Sequence, residues 1–443
     1  MKLNVKRTVL VGFAFLSILA FWQLYDGLVP KILTTTFGIG ETYSGIIMAL
    51  DNILALFLLP IFGSLSDKCK SPLGRRRPFI LFGTIAAVVL MMGLPLLDNS
   101  YFANPSPTKI VLFIINLGLL LIAMGTFRSP AVALMPDVTP KPLRSKGNAV
   151  INLMGAIGGV LYLIITSVLY SKSRTDSLEH INYLPIFIIV GVIMLISLLI
   201  VMLGVNEPKL CKEQAEYEAK HPEENLAVKD TYSQEEKMPK DVKRSLIFLL
   251  LSVALWYIGY NGITTWFTVY ADKMWGMEIG QASLCLTVAT AGAIASYIPI
   301  GVVSGRFGRK LIIKLGVILL AACFFVGYIY TLLYHEFHII LLLLFALVGV
   351  AWAAINVNSF PMVVEMCSGS AVGKFTGLYY TFSMSAQIIT PVLAGKLLDI
   401  SYTTLFPYAA IAVALAFVTM CFVKHGDNKV VTKKGLEAFD IDD

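Results

Sequence analysis

Three ionisable side chains interrupt long apolar segments of the sequence. Asp51 lies midway along one segment, Arg128 lies deep inside another, and Asp26 lies near the end of a third. Because an isolated charge in lipid is costly, each should face protein or water, and opposite charges at similar depth should pair. Burial favours a neutral carboxyl and a nearby cation favours the ionised one, so Asp51 beside Arg128 predicts a site that binds and releases a proton. For Asp51 the alternative is a static ion pair that fixes helix packing. Asp26 is the second choice for the coupling role, and a solvated residue at the rim of the bundle is its alternative.

Amide, hydroxyl and aromatic side chains recur at helical spacing on other apolar segments. Amides and hydroxyls exchange hydrogen bonds with sugar hydroxyls, and an aromatic ring can cover an apolar sugar face. For any single residue, a hydrogen bond between helices is the alternative. Trp275 is instead expected at the membrane interface. The predicted substrate-binding set is Gln23, Asn52, Arg128, Tyr257, Asn261, Thr264, Thr265, Trp352, Asn356, Asn358, Tyr380, Ser383 and Gln387.

Long membrane helices must position these side chains. Hydrophobic residues make up 57% of the 443 positions, charged residues make up 14%, and the mean hydropathy is +0.76, which indicates lipid as the main solvent. The segments are continuously apolar, which favours helices over the alternating strands of a membrane barrel. Twelve spans are predicted near 8–30, 42–64, 78–97, 109–136, 147–170, 184–205, 245–271, 280–304, 311–333, 339–364, 374–398 and 404–423.

The spans fall into two groups of six around one long polar interval. We therefore expect an all-α membrane protein with an N-terminal bundle at 1–205, a cytoplasmic linker at 206–244, a C-terminal bundle at 245–423 and a tail at 424–443. Of the 35 Lys and Arg residues, 28 lie in the two ends and the loops on their side, and six lie in the opposite loops. This asymmetry predicts cytoplasmic termini, and it accounts for the net charge of +7 without a nucleic-acid partner. The first span has no small-residue cleavage site, so we expect it to be retained.

Two matches between the halves predict that the bundles are pseudo-symmetric copies. The turn after the second span of each half has the same pattern, at 63–67 with 74–77 and at 301–305 with 306–310, although the second copy lacks the acid. In addition, two pairs are each nine residues apart at the inner halves of spans four and ten, namely Arg128 with Asp137 and Asn356 with Glu365. Internal repeats of this kind are common in transporters.

The first of these turns also resembles a known family. A Gly-x-x-x-Asp turn followed by a Gly-Arg-Arg cluster, as at 63–76, resembles the major facilitator superfamily. The run 66–80, Ser-Asp-x-Cys-x-Ser-x-x-Gly-Arg-Arg-Arg-Pro-Phe-Ile, is similar to the plant sucrose–proton symporters and their bacterial relatives in the glycoside-pentoside-hexuronide branch. The run 130–137 is a weaker match, in which plant members carry an arginine where this chain has Val132. Arg128, one turn earlier, is its expected substitute.

The resemblance implies a cytoplasmic gate formed by an acid, the arginines and a helix end. Asp137 and Glu365 could accept the arginines, and charge pairs that form in one state and break in another would give the two states of alternating access. Simple anchoring of basic residues at the inner membrane face is the alternative for some of the arginines. The predicted gate set is Asp67, Arg75, Arg76, Arg77, Asp137, Arg144, Arg306, Arg309 and Glu365.

The function implied is secondary active transport, as proton-coupled symport of a disaccharide or glycoside such as sucrose or maltose. Sodium coupling, efflux antiport and a membrane sugar sensor without transport remain alternatives. The five His residues form no ligand-spaced pair with acids, and no nucleotide loop or nucleophile motif occurs, so an enzyme is not expected. The six Cys residues lack paired spacing, which predicts free thiols and no metal centre. We expect a monomer in the plasma or inner membrane that binds a sugar and a coupling ion and needs no cofactor.

Overall fold

The structure, a computed structural model, describes residues 4–139, 144–175, 178–220, 239–366 and 372–427. Within these ranges the regular elements are helices, and no strand occurs there. Each predicted span falls on one long helix, and a further linker helix, Glu207–Lys220, separates α6 from α7. The long helices are α1 (Val5–Lys31), α2 (Glu41–Asp67), α3 (Arg77–Ala103), α4 (Pro107–Asp137), α5 (Arg144–Leu169), α6 (Leu184–Gly204), α7 (Lys240–Trp275), α8 (Ile279–Phe307), α9 (Arg309–Leu333), α10 (Ile340–Glu365), α11 (Val372–Ile400) and α12 (Leu405–Cys421).

Eleven helices in the described part of the chain are both long enough and apolar enough to cross a membrane. The exception among the twelve is α11, which has 29 residues and could cross by length. Its sequence is more polar, because Ser383, Gln387 and Thr390 interrupt the apolar residues. Polar residues of this kind are tolerated in a span when neighbouring helices cover them.

The helix ends follow local sequence rules. Asn4 precedes α1, and its side-chain oxygen accepts the N–H of Arg7 at 3.1 Å, which satisfies one of the donors left open at a helix start. Proline occupies the first turn of α3, α4 and α6, where its missing N–H costs nothing. Gly276 ends α7 with φ of +56°, a left-handed conformation that favours glycine.

The chain forms two compact units. The first comprises residues 1–39 and 50–225, and the second comprises 40–49 and 226–443. In the first unit α1 packs on α5 and α6, and α3 packs on α4 and α6. In the second unit α7 packs on α11 and α12, and α9 packs on α10 and α12. Adding six to each helix number of the pairs in the first unit gives the pairs in the second unit. These helices therefore pack in the same scheme in both units.

Glycines allow the helices of each unit to approach closely. A Cβ on Gly158 of α5 would overlap the backbone of Leu16 in α1, and one on Gly259 of α7 would overlap the backbone of Ala409 in α12. Packing between membrane helices depends on such contacts, because lipid supplies no hydrophobic driving force between them. Glycine thus serves the same packing role in each unit, at one helix pair of the first and another of the second.

The burial of Trp275 differs from the prediction. Trp275 is 1% exposed and packs edge-on against Phe267, Tyr270 and Tyr330, within the core of the second unit. Trp275 is therefore not exposed at the lipid surface as a belt residue would be, and its depth in the membrane stays a prediction. The left-handed turn at Gly276 explains the difference, because it ends the helix and reverses the chain directly after Trp275.

Candidate functional site

An acid–arginine cluster forms in the first unit where α2 and α4 end and α3 begins. Arg76 pairs with Asp67 and places its Nε 2.8 Å from Oδ2 of Asp137. It also donates to Ser66 and to the carbonyl of Gly63, at 3.3 Å for the latter. The Arg76 side chain is 6% exposed, so one largely buried guanidinium joins α2 to α4 through charge-assisted hydrogen bonds. We call Asp67, Arg75, Arg76 and Asp137 the acid–arginine cluster.

The three consecutive arginines have different environments. Arg75 binds Asp137 through two bonds, Nη2 to Oδ1 at 2.8 Å and Nε to Oδ2 at 3.2 Å, and its side chain is 42% exposed. Burial alone lowers the pKa of Arg75, but the charge of Asp137 and its hydrogen bond raise the pKa above its usual value. Arg77 instead donates to the carbonyls of Leu73 and Met202, so the structure does not bring it to Asp67 or Asp137.

The second unit repeats part of this arrangement. Arg309 at the start of α9 pairs with Glu365 at the end of α10, as Arg75 and Arg76 pair with Asp137. Arg306 is exposed. The side chain of Arg144 lies outside the described residues. The structure thus groups most of the predicted gate set into two matching clusters, one in each unit.

Glu207 supports the first cluster and was missed by sequence reasoning. Its buried carboxylate accepts the backbone N–H groups of Arg75 at 2.9 Å, of Arg76 at 3.0 Å and of Arg77 at 3.1 Å. These N–H groups lie at the start of α3, where a negative charge is favourable. Gly74, just before them, has φ of +108°, and a Cβ there would overlap the Glu207 carboxylate. The residue therefore holds the turn that presents Arg75 and Arg76.

Asp427 takes the same place in the second unit. Its Oδ1 accepts the N–H of Arg309 at 2.6 Å, and Gly308, before Arg309, has φ of +91°. A Cβ on Gly308 would lie 2.8 Å from the Asp427 carboxylate. In each unit, a carboxylate that follows the sixth long helix thus binds the turn after the second long helix. The sequence does hold a signal for Glu207 and Asp427. In each half, a glycine precedes an arginine in the turn after the second span, and an acid follows the sixth span.

The linker helix Glu207–Lys220 makes further contacts with the first unit. Arg7 Nη2 lies 3.0 Å from Oε2 of Glu213, and Cys211 donates its thiol to the Asp137 carbonyl at 3.4 Å. Burial, together with the charges of Glu207 and Asp137, raises the pKa of Cys211 to about 11, so it remains a neutral thiol at pH 7. The linker helix is therefore attached to the acid–arginine cluster.

Replacing Glu207 with Gln is expected to destabilise the protein by about 1–3 kcal/mol, because buried N–H groups lose a charged acceptor. Glu213→Gln is the matched control, since Glu213 is 45% exposed and its pair with Arg7 should contribute about 0–1 kcal/mol. Thermal unfolding of the detergent-solubilised proteins, followed by tryptophan fluorescence, compares the two. Equal melting temperatures would contradict the assignment.

A second site lies within the helices of the first unit, around Asp51. Arg128 and Asp26 are both within electrostatic range of Asp51, and Tyr25 is near the two acids. The Arg128 guanidinium carbon lies 5.5 Å from the centroid of the Trp22 ring, in range of a cation–π contact. The structure therefore brings the three predicted coupling residues into electrostatic range on α1, α2 and α4, and we call Asp26, Asp51 and Arg128 the coupling group. Neither Trp22 nor Tyr25 was predicted from the sequence.

Two predicted substrate-binding residues, Asn52 and Gln23, lie on the same helices as this coupling group. Asn52 donates its side-chain amide to Asp51 at 2.8 Å. Gln23 is half-buried and lies against Gly159 of α5, where a Cβ would meet it at 3.2 Å. Asn52 is therefore in contact with the coupling group, whereas the recorded contact of Gln23 is with α5.

An aromatic stack forms in the second unit from α7 and α10. The Trp352 and Tyr260 rings lie 3.7 Å apart and within 5° of parallel, and Tyr257 meets Trp352 edge-on at 5.3 Å. The buried Nδ2 of Asn261, one residue beyond Tyr260, has no hydrogen-bond partner among the described residues. The stack with this amide offers both an apolar face and a donor.

The remaining predicted substrate-binding residues fall into two classes. Some are satisfied within their own helix: Asn358 donates to the Ala354 carbonyl at 2.8 Å, Ser383 donates to the Tyr380 carbonyl at 3.1 Å, and Thr264 donates to the Asn261 carbonyl at 3.4 Å. Such bonds fit the alternative of helix packing. The half-buried members are Thr265, Asn356, Tyr380 and Gln387.

Comparisons with known proteins match most of the chain to one family. They match about a third of it to a plant transport protein. The model of the Major Facilitator Superfamily matches residues 11–276 and 273–439. Sucrose transport protein SUC3 of Arabidopsis thaliana is 36% identical over 152 residues, which are 32% of this chain and 25% of that protein. An uncharacterized MFS-type transporter of Methanocaldococcus jannaschii is 23% identical over 431 residues, covering 94% of this chain and 95% of that protein.

The fold matches solved transporter structures. The crystal structure of the nucleoside transporter NupG has a TM-score of 0.66 and 16% identity, covering 95% of this chain and 100% of that chain, a likeness that shows the fold alone. The matches to the plant sucrose transport proteins span 25% to 40% of their length. These relatives are transport proteins, so the predicted all-α membrane fold, the family resemblance and the expectation of a protein that is not an enzyme are confirmed, whereas the cytoplasmic side of the termini stays a prediction.

Proposed function

Because the chain belongs to the major facilitator superfamily, we propose that it is a secondary active transporter that takes up a sugar together with a proton. The proposed substrates are disaccharides or glycosides such as sucrose and maltose. The proposal includes alternating access, a monomer in the plasma or inner membrane and cytoplasmic ends. The partial match to a sucrose transport protein supports the choice of a sugar.

The observation that carries the proposal is the coupling group in the first unit. Asp26 and Asp51 are within electrostatic range of each other, and Arg128 is within range of Asp51. With all three ionised, two acids and one base have one negative charge in excess, which is costly inside a membrane protein. A proton removes that excess. A carboxylate that is protonated in one state and ionised in another is the element that proton coupling requires.

The aromatic stack of the second unit supports a carbohydrate substrate. A tryptophan face backed by Tyr260 suits the apolar face of a sugar ring, and Asn261 supplies a donor for a hydroxyl group. An apolar drug-like substrate would leave the buried amide of Asn261 without a partner. These residues favour uptake of a polar, hydroxylated molecule over efflux of an apolar one.

The acid–arginine cluster is the proposed gate. It couples Asp67 at the end of α2 with Asp137 at the end of α4 through Arg76, and Glu365 with Arg309 is its counterpart in the second unit. Such ion pairs would be formed in one conformation and broken in the other, which gives the two distinct states that alternating access requires. The corresponding residues are proposed to close the cytoplasmic side.

The proposal is tested by uptake of labelled sucrose and maltose into proteoliposomes, with and without an inward proton gradient. We expect accumulation only when the gradient is present. A sodium gradient is the second arm, because Asp51 and Asn52 stand side by side and offer carboxylate and amide oxygens. If neither sugar moves under either gradient, the sugar assignment fails.

Replacing Trp352 with Ala is expected to raise the KM for the sugar about tenfold, because an aromatic contact contributes about 0.5–1.5 kcal/mol beyond burial. The turnover rate should change less, since the coupling group lies in the other unit. Trp352→Phe is the matched variant, and it should retain most of the affinity by keeping a ring on Tyr260. If Ala and Phe give the same KM as the wild type, the stack is not part of the sugar site.

A further inference from the structure

The first turn of α2 is bound by a carboxylate of α11 within the second unit. Asp399 accepts the backbone N–H of Glu41 at 2.9 Å and that of Thr42 at 3.1 Å, and it also accepts the Thr42 hydroxyl. The first N–H groups of a helix have no partner inside the helix, and a negative charge at this end is favourable. Asp399 therefore acts as the cap of α2 from a different part of the chain.

Tyr402 adds a second bond at the same place. Its hydroxyl donates to the Glu41 side chain, so Glu41 is held through its backbone N–H by Asp399 and through its carboxylate by Tyr402. Tyr402 lies in the short 3₁₀ turn between α11 and α12. The contact joins residues 358 and 361 positions apart in sequence, so no local constraint of the chain enforces it.

Two glycines bring the backbones of α2 and α11 into direct contact here. A Cβ on Gly45 would overlap the Pro391 carbonyl, and one on Gly395 would overlap the Glu41 carbonyl. The Pro391 carbonyl also accepts the indole N–H of Trp266 at 3.1 Å, which fixes its direction. Contacts of this closeness are lost as soon as the helices separate, so the attachment is either made or broken.

The same helix is bound at its other end inside the first unit. Residues 40–49 belong to the second unit, while α2 from residue 50 onward belongs to the first. Asp67 at the last residue of α2 pairs with Arg76. Asp51 lies between the two attached ends.

We propose that Asp399 is a positioning residue for transport, which holds the beginning of α2 on α11 in one conformation and releases it in the other. Asp399 touches neither the coupling group nor the aromatic stack, so it acts through α2, the helix that carries Asp51. The inference rests on the proposed function, because it assigns a step of that cycle to this contact.

The test measures release of α2 directly, by labelling a cysteine at Ser44 with a membrane-impermeant maleimide. Ser44 is 0% exposed, and the test uses the Ser44→Cys variant with the six native cysteines replaced. Asp399→Asn should raise the labelling rate about five- to tenfold, because the neutral amide removes the charge at the helix start. Asp399→Glu, which retains the charge, should restore slow labelling.

Lys396→Gln is the matched control, an exposed residue one turn earlier on α11. If Asp399→Asn does not fold, Tyr402→Phe removes only the bond to Glu41 and should raise labelling by a smaller factor. Unchanged labelling in the Asp399 and Tyr402 variants, or an equal rise in Lys396→Gln, overturns the proposal. The labelling needs no sugar, so a failed sugar assignment would leave this measurement intact and the two failures can be told apart.

Discussion

Asp51→Asn is expected to abolish accumulation of sugar while leaving exchange of sugar across the membrane within about threefold of the wild type. Asparagine has the shape of the neutral carboxyl and cannot ionise, so the variant remains in the state that the protonated protein would occupy. A gradient of one pH unit stores about 1.4 kcal/mol, which corresponds to about tenfold accumulation in the wild type. The variant should show an accumulation ratio near one.

The measurement pairs net uptake under an inward proton gradient with counterflow in its absence. Asp26→Asn is the informative comparison, because Asp26 lies within electrostatic range of Asp51. If Asp26→Asn loses accumulation and Asp51→Asn retains it, the coupling role belongs to Asp26. If both variants accumulate sugar as the wild type does, proton coupling through this group is wrong.

Arg76→Ala is expected to destabilise the protein by about 3–5 kcal/mol and to abolish transport, because it leaves the Asp137 carboxylate in a poorly solvated place with one partner fewer. The Arg76 side chain is 6% exposed and that of Asp137 is 15% exposed. Arg75→Ala is the matched control next in sequence. Its side chain is 42% exposed, so we expect a loss of about 0–1 kcal/mol.

Thermal unfolding and proteoliposome uptake of the two arginine variants provide the comparison. Combining Arg76→Ala with Asp137→Asn should recover part of the lost stability, because the poorly solvated carboxylate that lost Arg76 is then neutral, whereas the groups that lose a partner, Asp67 and Arg75, are 56% and 42% exposed. Transport should remain absent in the double variant, since the gate is missing. Equal effects of Arg75→Ala and Arg76→Ala would show that burial does not distinguish the two arginines.

The helices were predictable because lipid imposes a length and an apolar composition on each span. The more polar α11 was still predicted, as the span near 374–398, because it has enough apolar residues over the length of a membrane crossing. The burial of Trp275 was missed because sequence alone gave its nearness to a span end, whereas the left-handed Gly276 turns the chain back and buries the ring. The direction of a chain reversal depends on backbone angles that hydropathy does not contain.

Residue types at the sites were more predictable than their partners. Asp51 and Arg128 were paired by charge and depth, with Asp26 as the second choice, and in the structure both Arg128 and Asp26 lie within electrostatic range of Asp51. Arg76 and Arg77 are identical neighbours in sequence, yet one binds acids and the other binds backbone carbonyls. Glu207 was hidden for a different reason. Its partners are backbone N–H groups, which leave no residue pattern at the turn except glycine.

The carboxylate of Asp427 sets a boundary for engineering this chain. It lies past the end of α12 at Cys421, in a stretch that would ordinarily be trimmed or fused to a tag, yet its partner is Arg309, 118 positions earlier. A reporter protein or affinity handle joined directly after the last helix would remove the acceptor for the α9 turn. Fusions and truncations should therefore be placed beyond residue 427, and a variant cut at residue 422 should be treated as a mutant of the Arg309 turn.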